Sequence, residues 1–407
     1  MPTLDSASPS TTWPLRVRAA KPSPITAIRT IRIGLLGLGQ VGQAVARLAA
    51  DRAATAHAGL RFHVEQALVR DVTKARACPK PGRITSNPQA FLRGHYDVVI
   101  EAFDTIEPAR TLVARLLGRG TSVVTANQAL VAQHREHLES IAASRGAAFR
   151  YEATALAAVP FLGTLAARPL VASVDRILGI VNDPSRDLDG LDAADKLLLL
   201  TSLFGWGRLS REALEVDGIR GVTAGDLAAA RSIGGTIKAV VSAERDAIGV
   251  RAFVGPAFLP STEPLASVGG ALNGIRLDGR HVSSLFFSGP GAGPAVTAAT
   301  LLDDAIQAAS FERQVHERPQ PPARPVFPAS PSTSWFVRVT FPGVLPSAHA
   351  VRDLVGAAGL PVEAIADHFD TNARWLCIGP HGRRDVAAAL AKLTNTHRVE
   401  ATAFRKF

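Results

Sequence analysis

Three glycines, two nearby cations and one carboxylate–ammonium pair are the residues of this chain whose spacing suits chemistry. The glycines stand as Gly37-x-Gly39-x-x-Gly42, after the apolar run Ile33-Gly34-Leu35-Leu36 and before AVARLAADR, which has helical spacing. Strand, glycine turn and helix in that order are the context in which a dinucleotide is bound. Gly37 would make the tight turn, Gly39 would admit a pyrophosphate to the backbone, and Gly42 would let the helix pack close to the strand. Gln40 and Val41 open that helix, so their amides would face the phosphates. A second apolar run is followed by Val69-Arg70-Asp71-Val72-Thr73-Lys74. A carboxylate at such a strand end suits a ribose 2′-hydroxyl; Arg70 with Lys74 suits a 2′-phosphate and favours NADP over NAD. A solvated loop arginine accounts for the same residues, and the spacing alone leaves both open. Further on, Asp192 and Lys196 lie four apart in LDAADKLLLL and share one face of a helix.

The elements that must hold these residues follow from hydrophobic periodicity. From residue 30 to 152 strands alternate with helices. Strands are expected at Ile31–Leu36, Phe62–Val69, Asp97–Ala102, Ser122–Thr125 and Ala148–Glu152, and helices at Val41–Ala53, Glu107–Arg119 and Ala132–Ser144. That is an α/β, doubly wound parallel sheet of Rossmann type. From 153 to 312 the pattern is α+β. Strands are expected at Ser173–Val181, Ile248–Val254 and Ser283–Phe287, helices at Ala193–Phe204, Ala224–Ser232 and Pro294–Ala308, the last packing back on the first domain. Residues 313–333 are Pro-rich and read as a linker. From 334 to 407 the order β-α-β-β-α-β spells a ferredoxin-like unit.

Composition bounds the rest. The chain has 407 residues, 47% of them apolar, enough for two or three domains. No apolar run is long enough to span a membrane. Cys78 and Cys377 form neither a disulfide framework nor a zinc pattern, which fits a reducing cytoplasm. The net charge of +10 comes from arginines scattered among alanines, without a basic run or aromatic interleaving, so no nucleic-acid partner is expected. Residues 1–29, rich in Ser, Thr and Pro, lack the apolar core of a signal peptide and read as a disordered tail.

Taken together, GLLGLGQVGQAVARL, LVRDVTKAR, YDVVIEAFDTIEPARTL, GTSVVTANQALVA, YEATALAAVP, LDGLDAADKLLLLTSLFG, EPLASVGGALNGI and SGPGAGPAVTAAT resemble the homoserine dehydrogenase family, in family order over about residues 31–310. The resemblance implies a Rossmann domain, a substrate-binding and dimerisation domain on a mixed sheet, and NAD(P)H-dependent reduction of aspartate 4-semialdehyde. It implies a homodimer, a small amino-acid-like substrate and a nicotinamide contact near Asn127 and Gly291. The Pro342-Gly343-Val344-Leu345 turn makes the last unit similar to ACT regulatory domains, which implies an amino-acid effector; a packing domain without a ligand is the other reading.

The same resemblance assigns the chemistry and shows what is altered. One family lysine follows the asparagine of a VVTAN motif; here Gln128 follows Asn127, and Gln128 can donate a hydrogen bond but carries no charge. The second family lysine survives as Lys196, with Asp192 to orient it or to bind a substrate amine. After Asn182 the family continues through a segment carrying part of the amino-acid pocket, whereas this chain passes directly to Asp183-Pro184-Ser185-Arg186-Asp187. Glu152, Ala155, Ala157 and Val159 match a bend that holds a monovalent cation, often sodium, although Leu156 and Ala158 replace glycines there. Three functions remain open: an impaired homoserine dehydrogenase, a non-catalytic sensor of NADP and an amino acid, or a dehydrogenase for another small aldehyde.

Overall fold

The apolar segments of the first part do assemble into a wholly parallel sheet. The structure, a computed structural model, describes residues 29–53, 59–156, 159, 165, 173–181, 187–207, 209–281, 283–310, 326–327, 332–366 and 370–407. The tail read over residues 1–29 lies outside them, Arg29 apart. Strands β1 (Arg29–Leu36), β2 (Leu60–Leu68), β3 (Arg83–Thr85), β4 (Val98–Glu101), β5 (Ser122–Thr125) and β6 (Phe149–Arg150) run in the order β3-β2-β1-β4-β5-β6. Ile31, Ile33, Leu35 and Leu36 of β1 are all buried, because helices cover both sheet faces. Helices α2 (Pro88–Leu92), α3 (Ala109–Leu117) and α4 (Gln128–Arg145) pack on one face, and α1 (Gln40–Ala50) on the other.

Three local readings change. Helix α4 begins at Gln128, four residues before the expected Ala132, because the Asn127 side chain caps the Leu130 amide. The strand expected over Ala148–Glu152 shortens, since Glu152–Thr154 turns into a 3₁₀ helix. Strand β3 and helix α2 went unread, although Asn87 caps α2 and Pro88 starts it, a legible signal.

The second part is built on β7 (Val174–Ile180), α5 (Leu191–Leu203), β8 (Glu215–Val216), α6 (Ala224–Ser232), β9 (Gly235–Arg245), β10 (Val250–Pro260), β11 (Leu272–Gly279) and β12 (Leu285–Pro290). Its main strands lie antiparallel in the order β12-β11-β7-β9-β10. Sequence reading missed β9 and β11: Lys238 and Ser242 interrupt the apolar pattern of β9, and Asn273, Arg276 and Asp278 that of β11. Helix α7 (Pro294–Ala309) then returns to the first sheet and lays Ala298, Leu301, Leu302 and Ala305 into the core beside α1, as expected.

The C-terminal part has β14 (Thr333–Thr340), α8 (Ala348–Ala357), β15 (Val362–Ile365), β16 (Ala373–His381), α9 (Arg383–His397) and β17 (Glu400–Lys406), after a short β13 (Val326–Phe327). Its antiparallel order is β17-β14-β16-β15. It does not stand as a separate sheet. Strand β17 pairs in parallel with β10 at Ala257↔Arg405 and Phe258↔Lys406, so one sheet runs through both units. Within the stretch read as a linker, Val326–Phe327 pairs with Val250–Arg251. The outer edge of β10 is therefore shared by β13, β8 and β17 in turn. Pro256, which has no N–H to donate, sits in the gap between the β8 and β17 pairings.

Candidate active site

The ends of β1 and β4 diverge in the sheet order, which makes their carboxyl ends the switch point where an open α/β sheet takes its ligand. Gly37 follows β1 with φ +96°, a value that strains any side chain, and its amide is held on the Leu68 carbonyl at 3.0 Å. Gly42 lies so close beneath it that a Cβ would stand 2.2 Å from the Gly37 oxygen. Gly39 is the opposite case: a Cβ there meets no atom within 4 Å. Gly39 is also the N-cap of α1 and offers no side chain to its first turn, so the amides of that turn lack a side-chain cap. An open space above an uncapped helix N-terminus fits a pyrophosphate.

The loop after β2 is fastened to this turn. Gln43 accepts the Ala77 amide at 2.9 Å, and Arg47 donates to the Ala77 carbonyl at 2.6 Å. Asp71 is occupied by the amide and hydroxyl of Thr73, which hold its carboxyl below the usual range. Arg76 donates to the carbonyls of Lys74 and Asp71. Among the described residues, the side chains of Arg70 and Lys74 make no such bond, so the loop presents two uncommitted cations and a committed carboxylate.

Sequence reasoning missed Glu101, the last residue of β4. It is fully buried, and burial pushes its carboxyl up to about 7. Its Oε1 accepts the Phe103 amide at 2.7 Å and its Oε2 the Thr125 hydroxyl. A carboxylate closing the apolar run Val98-Val99-Ile100 at a strand's carboxyl end was the available signal. Thr125 accepts the Asn127 amide at 2.9 Å; Asn127 donates its Nδ2 to the Thr105 carbonyl at 2.8 Å. The Asn127 side chain is thus bonded within the protein at both ends.

Gln128 opens α4 and lines a cleft of about 820 Å³ between the two main units. Phe103, Asp104 and Asn127 share its wall; Asp192, Asp195 and Ser202 of α5 stand opposite. The walls are tied where Arg135 donates to Ser202 Oγ at 2.6 Å. Desolvation raises the Asp195 carboxyl against the pull of Arg211, which lies 2.7 Å away. Lys196 is not among the residues lining this cleft. Its Nζ lies 2.9 Å from Asp192 and donates to the Val181 carbonyl at 2.6 Å. Asp192 therefore faces the cleft and holds the lysine at once. The stretch after Val181 read as lacking the family's pocket segment falls on residues 182–186, outside the described ones.

Gly291 packs on the Asn273 side-chain amide, whose atoms would lie 2.2–2.4 Å from a Cβ and would have to move aside for any other residue. At the bend read as a cation site, Ala157 lies outside the described residues. The Glu152 carbonyl accepts the Ala155 amide at 3.3 Å, and the Val159 amide bonds to Leu156. The Glu152 amide bonds to Asp304 of α7, a buried carboxyl that desolvation pushes up to about 6. Among the described residues no group of three or more His, Cys, Asp or Glu could hold a metal ion, and no helix is long and apolar enough to cross a membrane.

This fold and cleft define a dinucleotide-binding α/β domain joined to an α+β domain on a second, mixed sheet. Comparison with known proteins gives the family. Residues 37–152 match the profile described as homoserine dehydrogenase, NAD binding domain, and residues 171–306 the profile described as homoserine dehydrogenase. The homoserine dehydrogenase of Corynebacterium glutamicum is 32% identical over 321 residues, 69% of this chain and 72% of the relative. That of Synechocystis is 29% identical over 71% of this chain and 76% of the relative. The crystal structure of a homoserine dehydrogenase from Thiobacillus denitrificans superimposes with a TM-score of 0.78 at 26% identity, covering 93% of this chain and 99% of that one. The chain belongs to the homoserine dehydrogenase family, a class of NAD(P)-dependent oxidoreductases.

Proposed function

We propose that this protein reduces aspartate 4-semialdehyde to homoserine with NADPH, and does so slowly. The observation that carries the reading is the cleft itself, which Gln128 at the start of α4 lines together with Asp192 and Asp195, and whose Phe103 wall packs on Gly37 of the glycine turn. NADPH, when bound, supplies the hydride. The first-turn amides of Gln40 and Val41 and the backbone of Gly39 hold its pyrophosphate, and Arg70 and Lys74 its 2′-phosphate. Asp192 and Asp195 attract the substrate ammonium. The Gln128 amide donates to the aldehyde oxygen, and Lys196, poised on Asp192, supplies the positive charge and the proton.

Losing one preorganised charged donor typically costs about 3–4 kcal/mol in the transition state, or a hundred- to a thousandfold in rate. Gln128→Lys should therefore raise turnover, though only partly, because the altered stretch after Asn182 still positions substrate poorly. Lys196→Ala should abolish it. The test is a spectrophotometric NADPH-oxidation assay with aspartate semialdehyde on these three proteins. Fast wild-type turnover that survives Lys196→Ala would overturn the role given to the lysine. Tighter binding of NAD than of NADP would overturn the role of Arg70 alone.

A second reading is favoured by the Lys196–Val181 bond, which turns the ammonium away from the cleft. It is a non-catalytic protein that senses NADP and an amino acid; NADPH binding without any oxidation would select it. The C-terminal unit reads as ACT-like on its turn and element order, and it would take the amino-acid effector. The bend at Glu152, Ala155 and Val159 would take a sodium ion, and no step of the reaction depends on it.

A further inference from the structure

Glu101 has no obvious place in a buried strand. The three residues before it are apolar and fully buried, and another valine would continue them. No ion pair compensates it among the described residues, and a buried carboxylate without a cation is costly. Something must make the carboxyl group worth keeping. Its two oxygens accept from two different strand ends: Phe103, just past β4, and Thr125, the last residue of β5. From Thr125 the bonds continue. Thr125 Oγ1 accepts the Asn127 amide at 2.9 Å, and Asn127 Oδ1 accepts the Leu130 amide at 3.0 Å within the first turn of α4. Asn127 Nδ2 closes the ring on the Thr105 carbonyl at 2.8 Å, back on the loop that Glu101 holds through Phe103. Gln128 lies inside this ring of bonds, between Asn127 and Leu130, and so takes its place in the cleft from it.

We propose that Glu101 is a positioning residue which, acting through Thr125 and Asn127, sets the first turn of α4 and with it Gln128 against the reacting carbonyl. The proposal rests on the reading of this cleft as the reduction site. It assigns Glu101 to the substrate side of the reaction. None of the ring's side-chain bonds reaches the phosphate cradle at Gly37–Gly42, whose own bonds run from Gly37 to Leu68 and through Gln43 to Ala77, with Ala102 and Phe103 packed against Gly37.

The test uses the full chain with Glu101→Gln, Thr125→Val, the double variant and Thr125→Ser. Glutamine still accepts from Phe103 but turns an N–H₂ toward Thr125, so the bond between them must reverse. Valine keeps the shape of threonine and removes the relay. Each of these single variants should lower kcat at saturating NADPH by about tenfold or more, as a small misplacement does. The double variant should be no worse than the poorer single one within about twofold, because both changes cut the same chain of bonds. Thr125→Ser, which keeps the hydroxyl, should retain activity and provides the check if the valine variant fails to fold. NADPH affinity, read by fluorescence titration, should stay within about threefold throughout. Losses that multiply in the double variant, or that track NADPH affinity, would overturn the proposal. Amide hydrogen exchange over Asn127–Val131 needs no turnover: both single variants should speed it, the double no further, and unchanged exchange would refute the relay. An inactive wild type that shows the exchange effect would refute the reduction site and leave the relay standing.

Discussion

Gly39 and Gly42 stand in one turn, and the structure requires opposite things of them. At Gly42 a Cβ would run into the backbone oxygen of Gly37, which cannot move without unseating the end of β1. At Gly39 a Cβ meets only open space. Gly42→Ala should thus cost stability, about 1–3 kcal/mol as overpacking does, and lower the melting temperature of the ligand-free protein. Gly39→Ala should melt as wild type and lose NADPH affinity by about tenfold or more, since the methyl fills the space above the helix N-terminus. Calorimetry and fluorescence titration on the two variants separate the roles; equal melting temperatures for both would show that the turn relaxes around Gly42. Glu101 teaches the same lesson from the other side, because its value lies in bonds to residues distant along the chain.

At the scale of elements, the return of α7 is the joint to examine. Asp304 on that helix accepts the Glu152 amide and is nearly out of water. Desolvation raises its carboxyl from an ordinary 3.8 to about 6. The sign follows from linkage: between these values the folded state binds the proton and the unfolded state does not, so stability falls as pH rises through that window. The loss is on the order of 2–3 kcal/mol and is complete above about pH 6. Asparagine keeps an acceptor for Glu152 and carries no charge. Asp304→Asn should therefore stabilise the protein at pH 8, change little at pH 4, and flatten the difference between them. Melting curves across that range check it, and a variant less stable at pH 8 would show that the carboxylate form is the one the joint needs. A second joint lies at α6. Fully buried Asp226 accepts from Thr223, from the Trp375 indole at 2.7 Å and from Arg338. Asp226→Ala would remove the carboxylate that Arg338 and the Trp375 indole share between the second unit and the C-terminal unit, leaving Arg338 only the neutral acceptors of Thr223, Gly221 and Thr402. Removing one partner of a buried pair costs about 3–5 kcal/mol, and urea denaturation should show a loss of that size.

For the whole molecule, the continuous sheet makes the C-terminal unit part of the substrate unit. Phe336, Trp375, Cys377 and Phe404 share a core with Ala229, Ala230 and Phe258. An effector bound to the C-terminal unit would act through β17 and β10 and through α6, with no hinge needed. The other end of that sheet, β12, has no further partner strand among the described residues, and it exposes Phe286. Such an edge invites pairing with a second copy. Sedimentation at micromolar concentration should show a dimer, and Phe286→Lys should weaken it; a monomer at that concentration would refute the reading.

Much of this was legible in the sequence because its causes are local. A parallel strand covered on both faces needs a continuous apolar run, and a helix N-terminus that admits a phosphate needs its glycines at fixed spacing. Both can be read from a dozen neighbouring residues, as Ile31–Gln43 shows. The return of α7 was readable for a similar reason, since its apolar stripe had to be covered. What tertiary structure decided depends on partners far apart in the chain. Strands β9 and β11 are buried by their neighbours despite Lys238 and Arg276. Pro256 is tolerated only because the partner of β10 changes beside it. Lys196 shares a helix face with Asp192 by spacing alone, but only the folded chain directs its ammonium to Val181. A buried carboxylate such as Glu101 has no periodic signature, because its two bonding partners meet it only when β4 and β5 lie side by side.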